Sequence, residues 1–441
     1  MIHGLINEIS QAQDVKYFGT VSALKGLLFE VKGMEGYLAT GNQCYVYPAT
    51  DPAIIAEVVG FNHGVAQMMA YQPLNGVGPG CRVEKIKDRF TLCPDRSWLG
   101  RVVNGFGEPL DGGPRLPYGE SEYFVYNSPL PAHQRQRVKD RIDMGVRAIN
   151  TFTTCCYGQR MGIFAGSGVG KSVLMSQIAK FTTADINVIG LIGERGREVR
   201  EFIEDTLDPE TLARSIIVVA TSDEPSLMRR QAAHLTLTIA EYFRDQNYNV
   251  LCFLDSVTRF AMALREIGLS VGEPPASKGY TPSVFAELPR LLERAGPGHK
   301  EKSGSITGIF TVLVEGDDDN EPISDAVRSI LDGHVVLDRN IANRNRFPAV
   351  NVLKSISRMM PECNSPEETQ TTSRAREMIS AYDDMAEMIR LGAYRGGSDT
   401  KLDEAIELHE SFENFLRQDK QECCSLEDGF QQLKNILNHE K

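Results

Sequence analysis

The sequence predicts an α/β fold in which a mostly parallel sheet is preceded by a small N-terminal β-barrel and followed by a C-terminal helical domain. Three observations lead to this prediction. Short apolar runs broken by glycine fill residues 1–95, apolar strands alternate with helical patterns over residues 131–361, and helical patterns alone follow over residues 362–441. Residues 96–130 are rich in glycine and proline and are predicted to be a linker.

The first 95 residues have the pattern of a small antiparallel barrel. Four apolar runs follow one another at short spacing and are separated by glycine-containing turns: GLLFEVKG, GYLATGNQCYVYP, IIAEVVGF and CRVEKIKDRFTL. Strands of this length and spacing are typical of barrels that close on themselves. The stretch GFGEPLDGGPRLPYGE that follows cannot hold a helix and marks the end of this domain.

The middle of the chain alternates strand and helix five times. RMGIFAG precedes SVLMSQIAKF, and each of four further apolar runs precedes a helical pattern: NVIGLIG, SIIVVAT, NVLCFLDS and GSITGIFTVLVEG. Nearly continuous apolar strands between helices indicate a parallel sheet that is covered on both faces. Because ligands of such sheets bind at the carboxyl ends of the strands, functional residues are expected there.

Composition and charge exclude several classes of protein. The 441 residues carry a net charge of −12, which argues against nucleic acid as a partner because such binding needs clustered Lys and Arg. No apolar run is long enough to span a membrane, and the N-terminus does not resemble a signal peptide, so we expect a cytoplasmic protein. The nine cysteines show no C-x-x-C spacing and are expected to be reduced thiols.

A phosphate-binding loop follows the first strand of the predicted sheet. The loop consists of Ala165, Gly166, Ser167, Gly168, Val169, Gly170, Lys171 and Ser172. Its glycines allow a tight turn whose backbone N–H groups converge, with the helix N-terminus, on phosphate oxygens. Lys171 is predicted to bind the β- and γ-phosphates, and Ser172 to bind Mg²⁺. Ala165 stands where the strict pattern has glycine, so we infer that this position requires only a small residue.

Two acidic residues follow other strands at the same predicted edge. Asp255 ends the run NVLCFLD and is predicted to hold the hydration shell of Mg²⁺, with a helix cap as the alternative. Glu194 follows NVIGLIG and is predicted to orient the attacking water and take its proton. The alternative for Glu194 is a solvated loop charge among Arg195, Arg197 and Glu198.

Arg358 stands at the end of the run VNVLKSIS, where the chain turns polar before Pro361. Phosphoryl transfer requires neutralisation of the charge on the equatorial oxygens, and a further cation near the γ-phosphate is the part that the residues above do not supply. From the pattern alone, an ordinary strand-end salt bridge remains an alternative for Arg358.

Several longer segments resemble one family. The segments LIGERGREVREFIE, FLDSVTRFAMALREIGLSVGEPP, KGYTPSVFAELPRLLERAG and SILDGHVVLDR, with the phosphate loop AGSGVGKS, resemble the export ATPase of the bacterial flagellum, the flagellum-specific ATP synthase. That family is related to the ATPases of virulence type III secretion and to the catalytic subunits of rotary ATP synthases. The resemblance implies a RecA-like P-loop core, ATP as substrate, Mg²⁺ as cofactor, and hydrolysis that energises the export of flagellar proteins.

The resemblance also implies roles for residues. It supports the roles given above for the loop and both acids, and it places Arg195 next to the γ-phosphate. Arg358 in SISR matches the arginine finger, which in this family reaches the nucleotide on the adjacent subunit of a homohexamer. Such a finger contributes about 10³ to 10⁵ in rate, so an isolated chain is expected to be nearly inactive. Arg259 matches a further arginine near the site, whereas MMPECNSPEE offers no counterpart for the aromatic residue that contacts adenine in related rotary subunits.

The family resemblance implies several partners. These are a dimeric flagellar export regulator at the N-terminus, a central-stalk export protein in the ring pore, and the membrane export gate with export substrates or chaperones. They would hold the protein peripherally at the cytoplasmic face of the export apparatus. The apolar residues that recur at helical spacing near the N-terminus suit docking of the regulator, and equally suit burial against the barrel or a place in its first strand. They are Ile2, Leu5, Ile6 and Ile9.

Two further segments carry weaker expectations. Residues 272–290 contain too many prolines for an ordinary helix and line the ring pore in the relatives, so Lys278 and Tyr280 are candidates for stalk contacts, with simple packing as the alternative. Asp317, Asp318 and Asp319 form an acidic run that suggests a second metal site, but such runs are usually solvated.

Other functions compete with flagellar export. A virulence secretion ATPase would share the chemistry, although the loop GSGVGKS is typical of the flagellar proteins. A non-catalytic nucleotide-binding ring subunit would carry Gln in place of Glu194. A ring-forming RNA translocase would need Lys and Arg interleaved with exposed aromatic residues in its N-terminal domain, and the first 95 residues lack that pattern.

Overall fold

The computed structural model describes residues 16–302, 304–314 and 321–438, and its architecture confirms the predicted fold class. A closed antiparallel barrel comes first, with strands in the order β1-β2-β5-β4-β3-β6. The barrel strands are β1 (Phe18–Lys25), β2 (Leu28–Lys32), β3 (Gln43–Tyr47), β4 (Ile54–Asn62), β5 (Val65–Ala70) and β6 (Arg82–Lys87).

The barrel closes around buried side chains, and the alternation of buried and exposed residues is clear in β3. In β3, Cys44 and Val46 are buried, whereas Tyr45 and Tyr47 are exposed on the outer surface. This period of two is what a sheet with one wet face and one buried face requires. The barrel therefore has a hydrophobic core of its own, separate from those of the main sheet.

The segment predicted as a linker contributes to the core sheet. Its short strands are β8 (Val102–Val103) and β9 (Tyr123–Phe124), with a 3₁₀ turn at Arg96–Trp98, and β9 pairs with β7 (Thr91–Leu92), which precedes the segment. β8 pairs in parallel with β14 (Ser215–Ala220) at the edge of the main sheet, and Trp98 is buried in an apolar cluster of that sheet. Glycine and proline thus rule out a helix here, but they do not prevent two residues from joining a sheet edge.

The main sheet follows the order β19-β18-β12-β17-β15-β13-β14-β8. All of its pairings on this path are parallel except β18 with β19. The strands from residue 140 on are β10 (Arg141–Ile142), β11 (Cys155–Cys156), β12 (Arg160–Ala165), β13 (Ile186–Ile192), β14 (Ser215–Ala220), β15 (Asn249–Asp255), β16 (Gly296–Pro297), β17 (Ser305–Leu313), β18 (Gly333–Leu337) and β19 (Val350–Ser357).

Helices cover both faces of this sheet, and each face has its own apolar cluster. The helices that follow its strands are α1 (Arg147–Phe152), α2 (Lys171–Phe181), α3 (Gly196–Glu201), α4 (Pro209–Ala213), α5 (Ser226–Asp245), α6 (Val257–Ser270), α7 (Pro282–Leu292), α8 (Pro322–Ile330) and α9 (Arg339–Asn343). Every residue of β13 is buried, as expected for a central parallel strand.

The tail forms three helices that pack against α1 and β19. They are α10 (Pro366–Arg390), α11 (Thr400–Leu416) and α12 (Leu426–Leu437). α10 begins with a capping box, in which the Ser365 hydroxyl accepts from the Glu368 N–H and the Glu368 carboxylate accepts from the Ser365 N–H. In the described part of the chain, no helix combines the length and the apolar character needed to cross a membrane.

Candidate active site

The phosphate loop lies between the carboxyl end of β12 and the first turn of α2. Gly168 and Gly170 adopt φ values of +75° and +90°, a left-handed backbone that side chains rarely tolerate. Ala165 instead belongs to the strand ladder, where it is paired with Leu313 and Leu337. That position needs no left-handed conformation, which explains why alanine can replace glycine there.

Lys171 lies between the two acids predicted for this edge. Its ammonium group donates to Asp255 Oδ1 and lies 3.4 Å from Glu194 Oε1. The three residues meet because β13 and β15 are hydrogen-bonded neighbours and only β17 separates β15 from β12, so their carboxyl ends share one sheet edge. The three side chains are largely buried together, with only 15% of Glu194 exposed.

Burial changes the acid–base behaviour of this cluster. Loss of solvation, followed by the nearby Asp255 charge, raises the pKa of Glu194 to about 7. Burial alone would lower the pKa of Lys171, but the charges of Asp255 and Glu194 outweigh it and raise the pKa. Near neutral pH Lys171 therefore stays protonated, and it lies beside the Glu194 carboxyl, which can gain or lose a proton.

The Asp255 carboxylate points into the site and does not cap a helix. Its Oδ1 accepts a hydrogen bond of 2.6 Å from the Thr311 hydroxyl. The cap of α6 is the next residue, Ser256, whose hydroxyl accepts from the Arg259 N–H. The helix-cap alternative for Asp255 therefore does not apply in this chain.

The residues present fit a magnesium ion. The Ser172 side chain is exposed on the first turn of α2, and the Asp255 carboxylate faces the same edge. A hydroxyl and a carboxylate are oxygen ligands of the kind that Mg²⁺ prefers, and the ion takes its remaining ligands from water and phosphate. Within the described ranges no group of three or more His, Cys, Asp or Glu side chains is arranged to hold a metal.

Unlike Glu194, which is largely buried, Arg195 and Arg197 extend into solvent. Arg195 is 79% exposed and forms an ion pair of 3.4 Å with Glu198, and Arg197 is similarly exposed. The structure thus does not bring Arg195 to Lys171, and a contact between Arg195 and the γ-phosphate remains a prediction. The Arg259 side chain packs across Gly193, the residue before Glu194. A Cβ added to Gly193 would come within 2.7 Å of that side chain.

Arg358 lies at the opposite edge of the sheet from the phosphate loop. β19 is antiparallel to β18, so Ser357 is paired with Gly333 at the start of β18. The Arg358 N–H donates to the Asp332 carbonyl, and its exposed guanidinium lies 3.4 Å from the Arg328 carbonyl. With about 3.3 Å of rise per residue, the two ends of β12 are roughly 16 Å apart. The guanidinium therefore cannot reach the phosphate loop of its own chain.

An aromatic ring that the motif analysis missed lies beside the phosphate loop. Phe347 is 40% exposed, and a Cβ placed on Gly170 would come within 3.4 Å of its ring. A ring in this place can stack on a nucleotide base. Phe347 precedes β19 and so lies outside MMPECNSPEE, and only the packing of the 338–348 segment brings it to the loop. An aromatic residue before a proline, in a loop that follows a buried strand, was the one available signal.

Three other predictions concern the pore, the N-terminus and the acidic run. Tyr280 is buried, with its ring edge-on to Phe285 and the Arg265 guanidinium over its face, so it anchors this segment from inside and is a poor candidate for a stalk contact. Lys278 is exposed. The apolar residues from Ile2 to Ile9 and the acidic run 317–319 lie outside the described residues.

Comparison with known proteins assigns both parts of the chain that follow the barrel. The family model "ATP synthase alpha/beta family, nucleotide-binding domain" matches residues 145–357. The model "T3SS EscN ATPase C-terminal domain" matches residues 364–435.

Relatives match the chain from end to end. A flagellum-specific ATP synthase of Caulobacter vibrioides is 55% identical over 100% of both chains. An SPI-2 type 3 secretion system ATPase of Salmonella typhimurium is 45% identical over 90% of both chains.

Solved structures show the same architecture. The assembled ATPase EscN of the enteropathogenic E. coli type III secretion system has a TM-score of 0.88 at 39% identity, covering 95% of this chain and all of that one. EscN in complex with its central stalk EscO has a TM-score of 0.86, with the same identity and coverage.

Proposed function

Because the chain belongs to the family of flagellum-specific ATP synthases, we propose that this ATPase works as a homohexameric ring, with each catalytic site shared between two copies of the chain. Its hydrolysis of ATP energises the export of flagellar proteins. The identity of 55% over the whole length of a flagellum-specific relative supports the flagellar assignment.

One observation carries the proposal of a shared site. Arg358 and the phosphate loop lie at opposite edges of one sheet, because β19 runs antiparallel to its neighbour. If Arg358 neutralises a γ-phosphate, that phosphate is bound by another copy of the chain. A ring of identical copies satisfies this requirement at every interface, since each copy presents a phosphate loop on one side and an arginine on the other.

The residues of the cluster have separate roles in this proposal. Backbone N–H groups of the loop and the Lys171 ammonium bind the phosphates. Glu194 holds the attacking water and accepts its proton, and its raised pKa keeps it basic enough for that task. Arg358 of the adjacent copy neutralises charge that develops on the transferred group. Arg195, on the exposed loop after Glu194, becomes available to the nucleotide only if that loop moves.

Magnesium completes the site. Ser172 and Asp255 would hold the ion and its waters, and the bound ion would neutralise negative charge on the phosphate oxygens.

The partners follow from the family. We propose that a central-stalk protein binds in the ring pore, because EscN is solved with its central stalk EscO. The loop around Lys278 of this chain would contact that stalk. A dimeric export regulator would bind the N-terminal segment, and the membrane export gate, export substrates or chaperones would meet the ring at the cytoplasmic face. The net charge of −12 argues against nucleic acid as a partner.

A virulence secretion ATPase is the second candidate. The 45% identity to the SPI-2 ATPase and the structural match to EscN favour the same chemistry. The higher identity to a flagellum-specific relative favours flagellar export. A non-catalytic ring subunit is disfavoured, because this chain has a glutamate at position 194, and that Glu194 lies beside Lys171 and has a raised pKa.

Mixing of two inactive variants tests the shared site. Lys171→Ala removes the phosphate charge, and Arg358→Ala removes the finger, with an expected loss of about 10³-fold or more in kcat for each alone. In mixed rings, some sites combine the intact loop of the Arg358→Ala chain with the intact arginine of the Lys171→Ala chain. We therefore expect the ATPase rate of the mixture to rise well above that of either variant.

The matched control is a mixture of Lys171→Ala with Glu194→Gln. Both changes lie in the half of the site that one chain supplies, so no arrangement of copies can restore a complete site. Recovery in this control, or failure of the first mixture to recover although both variants assemble, would contradict the proposal. A specific rate that stays constant on dilution to the monomer would do so as well.

A further inference from the structure

The turn that carries Arg358 is held in place by a polar network at the base of β12. The Asp332 carbonyl accepts both the Arg358 N–H, at 2.8 Å, and the side-chain amide of Gln159, at 3.0 Å. The same Gln159 amide lies 3.0 Å from the Ser357 hydroxyl, which in turn donates to the Thr154 carbonyl. The Arg358 N–H and the side chain of the preceding residue, Ser357, are thus both hydrogen-bonded.

Asp332 is itself clamped by Arg160, the first residue of β12. The Arg160 backbone N–H and its Nε both lie 3.0 Å from Asp332 Oδ2, and its Nη2 lies 3.0 Å from Oδ1. Both side chains are largely buried. A guanidinium that binds both oxygens of a carboxylate fixes orientation as well as distance.

We infer that Asp332, clamped by Arg160, is a positioning residue that sets where Arg358 meets the nucleotide of the adjacent copy. This inference rests on the shared site proposed above. Asp332 touches neither ATP nor the reacting atoms. It acts through its carbonyl, which holds the start of the turn, and through its carboxylate, which ties that turn to the strand that carries the phosphate loop.

The connection runs along one strand. β12 begins at Arg160 and ends at the phosphate loop, with β17 and β18 paired along it. A chain's own nucleotide and the arginine that serves the next nucleotide are therefore attached to opposite ends of one buried strand. A misplacement of about 1 Å at a reacting group can cost on the order of 10²-fold in rate. Loosening of the Asp332 clamp is thus expected to lower kcat without affecting the loop.

The experiment uses Asp332→Asn in the full chain. Asparagine keeps the backbone carbonyl and the size of the side chain but removes the charge that binds Arg160 through Nε and Nη2, and it leaves the other ion pair of Arg160, with Glu293, in place. We expect kcat to fall on the order of 10²-fold, while binding of a fluorescent ATP analogue is unchanged because the chain's own loop is intact. Mixing with Lys171→Ala should restore activity, because the Lys171→Ala chain supplies a correctly seated Arg358. Arg160→Lys, which keeps the charge but removes the two-pronged contact, should behave in the same way.

The chain offers a matched control in another Arg–Asp pair. Arg101 binds Asp111 through Nε at 2.6 Å and Nη2 at 2.8 Å, and its exposure resembles that of the Arg160–Asp332 pair. Asp111→Asn removes a comparable ion pair from the connector, far from Arg358. It should leave kcat within about twofold of the wild type, a change of less than roughly 0.5 kcal/mol in the barrier.

The possible outcomes separate this inference from the proposed function. If Asp332→Asn loses kcat and mixing with Lys171→Ala chains restores it, the positioning role of Asp332 is supported. Unchanged kcat, a loss that mixing does not restore, or an equal loss in Asp111→Asn overturns it. If Arg358→Ala recovers with Lys171→Ala and Asp332→Asn does not, the shared site stands and the positioning role falls. If neither mixture recovers, both are overturned.

Discussion

At the scale of single residues, Glu194 is the side chain whose surroundings change its chemistry most. A solvated loop glutamate would be ionised throughout the physiological range. Here burial and the Asp255 charge raise the pKa to about 7, while neighbouring arginines such as Arg195 extend into solvent. This contrast separates the catalytic interpretation of Glu194 from that of a solvated charge, because only a partly desolvated carboxylate is matched to proton transfer near neutral pH.

This pKa predicts the pH dependence of hydrolysis. Below about pH 7 the Glu194 carboxyl is protonated and cannot accept a proton. We expect kcat/KM to fall about tenfold per pH unit below that value and to level off above it, since kcat/KM reports the free enzyme. Glu194→Gln should abolish turnover and keep nucleotide binding.

Glu198→Gln provides the control for the acidic limb of this profile, the fall of kcat/KM below about pH 7. The Glu198 carboxyl contributes to the raised pKa of Glu194 without touching Lys171. Its neutralisation should preserve turnover and move the acidic limb to lower pH. Turnover that survives in Glu194→Gln would remove Glu194 from the mechanism.

Phe347 gives a second prediction at this scale. A base stacked on an aromatic ring gains about 1–3 kcal/mol. Phe347→Ala should therefore weaken ATP binding by roughly 5- to 150-fold, whereas Phe347→Tyr should bind normally. Inorganic triphosphate, which has no base, should bind equally to all three proteins. A titration that shows equal ATP affinity in Phe347→Ala would exclude base stacking.

At the scale of elements, helix α1 joins the C-terminal helices to the core. α1 is buried along its whole length. The Arg147 Nε donates to the Phe415 carbonyl at 2.8 Å, and its Nη2 donates to the Arg417 carbonyl at 2.6 Å. The same guanidinium forms an ion pair with Glu422. One side chain of a short helix thus closes the end of α11 and the turn that follows it.

Removal of this side chain is expected to loosen the tail. Hydrogen bonds to a charged group contribute about 1.5–3 kcal/mol each, and Arg147→Met removes this donor from the Phe415 and Arg417 carbonyls and from the Glu422 carboxylate. We expect a fall of several degrees in the midpoint temperature and faster trypsin cleavage at the exposed residues Arg417 and Lys420. Because a chain of several domains does not unfold in one step, cleavage is the more specific measurement.

Arg374→Met is the control for that change. Arg374 pairs with Glu404 on the surface of the same helical domain, with both side chains partly exposed. Such pairs contribute about 0–1 kcal/mol, so cleavage and midpoint should remain near the wild type. If trypsin cleaved the tail of Arg147→Met no faster than that of the wild type, apolar packing alone would hold the tail.

At the scale of the whole molecule, the antiparallel direction of the edge strand β19 is the reason that the proposed site needs a second copy of the chain. If β19 ran parallel to β18, its carboxyl end would lie at the edge with the phosphate loop and Arg358 would serve its own nucleotide. The observed direction places Arg358 at the other edge, beside Asp332. An isolated chain then contains both halves of a site that face away from each other.

Much of the site could be predicted from local pattern. The phosphate loop is contiguous, and its glycines and Lys171 have roles that depend on backbone conformation within a few residues. Asp255 and Glu194 could be placed because parallel strands bring their carboxyl ends to one edge. Arg358 was assigned only through family resemblance, since the pattern around it fits a surface salt bridge equally well.

The remaining features depend on segments that are distant in sequence. Phe347 reaches Gly170, and Asp332 meets Arg160, through packing between strands that no local period records. The buried position of Tyr280 likewise reflects contacts with neighbouring helices. Spacing and periodicity thus account for the elements, the phosphate loop and the chemistry available at one sheet edge. Tertiary packing alone decided which edge Arg358 occupies and what supports it, because strand direction in a sheet depends on the path of the chain between strands.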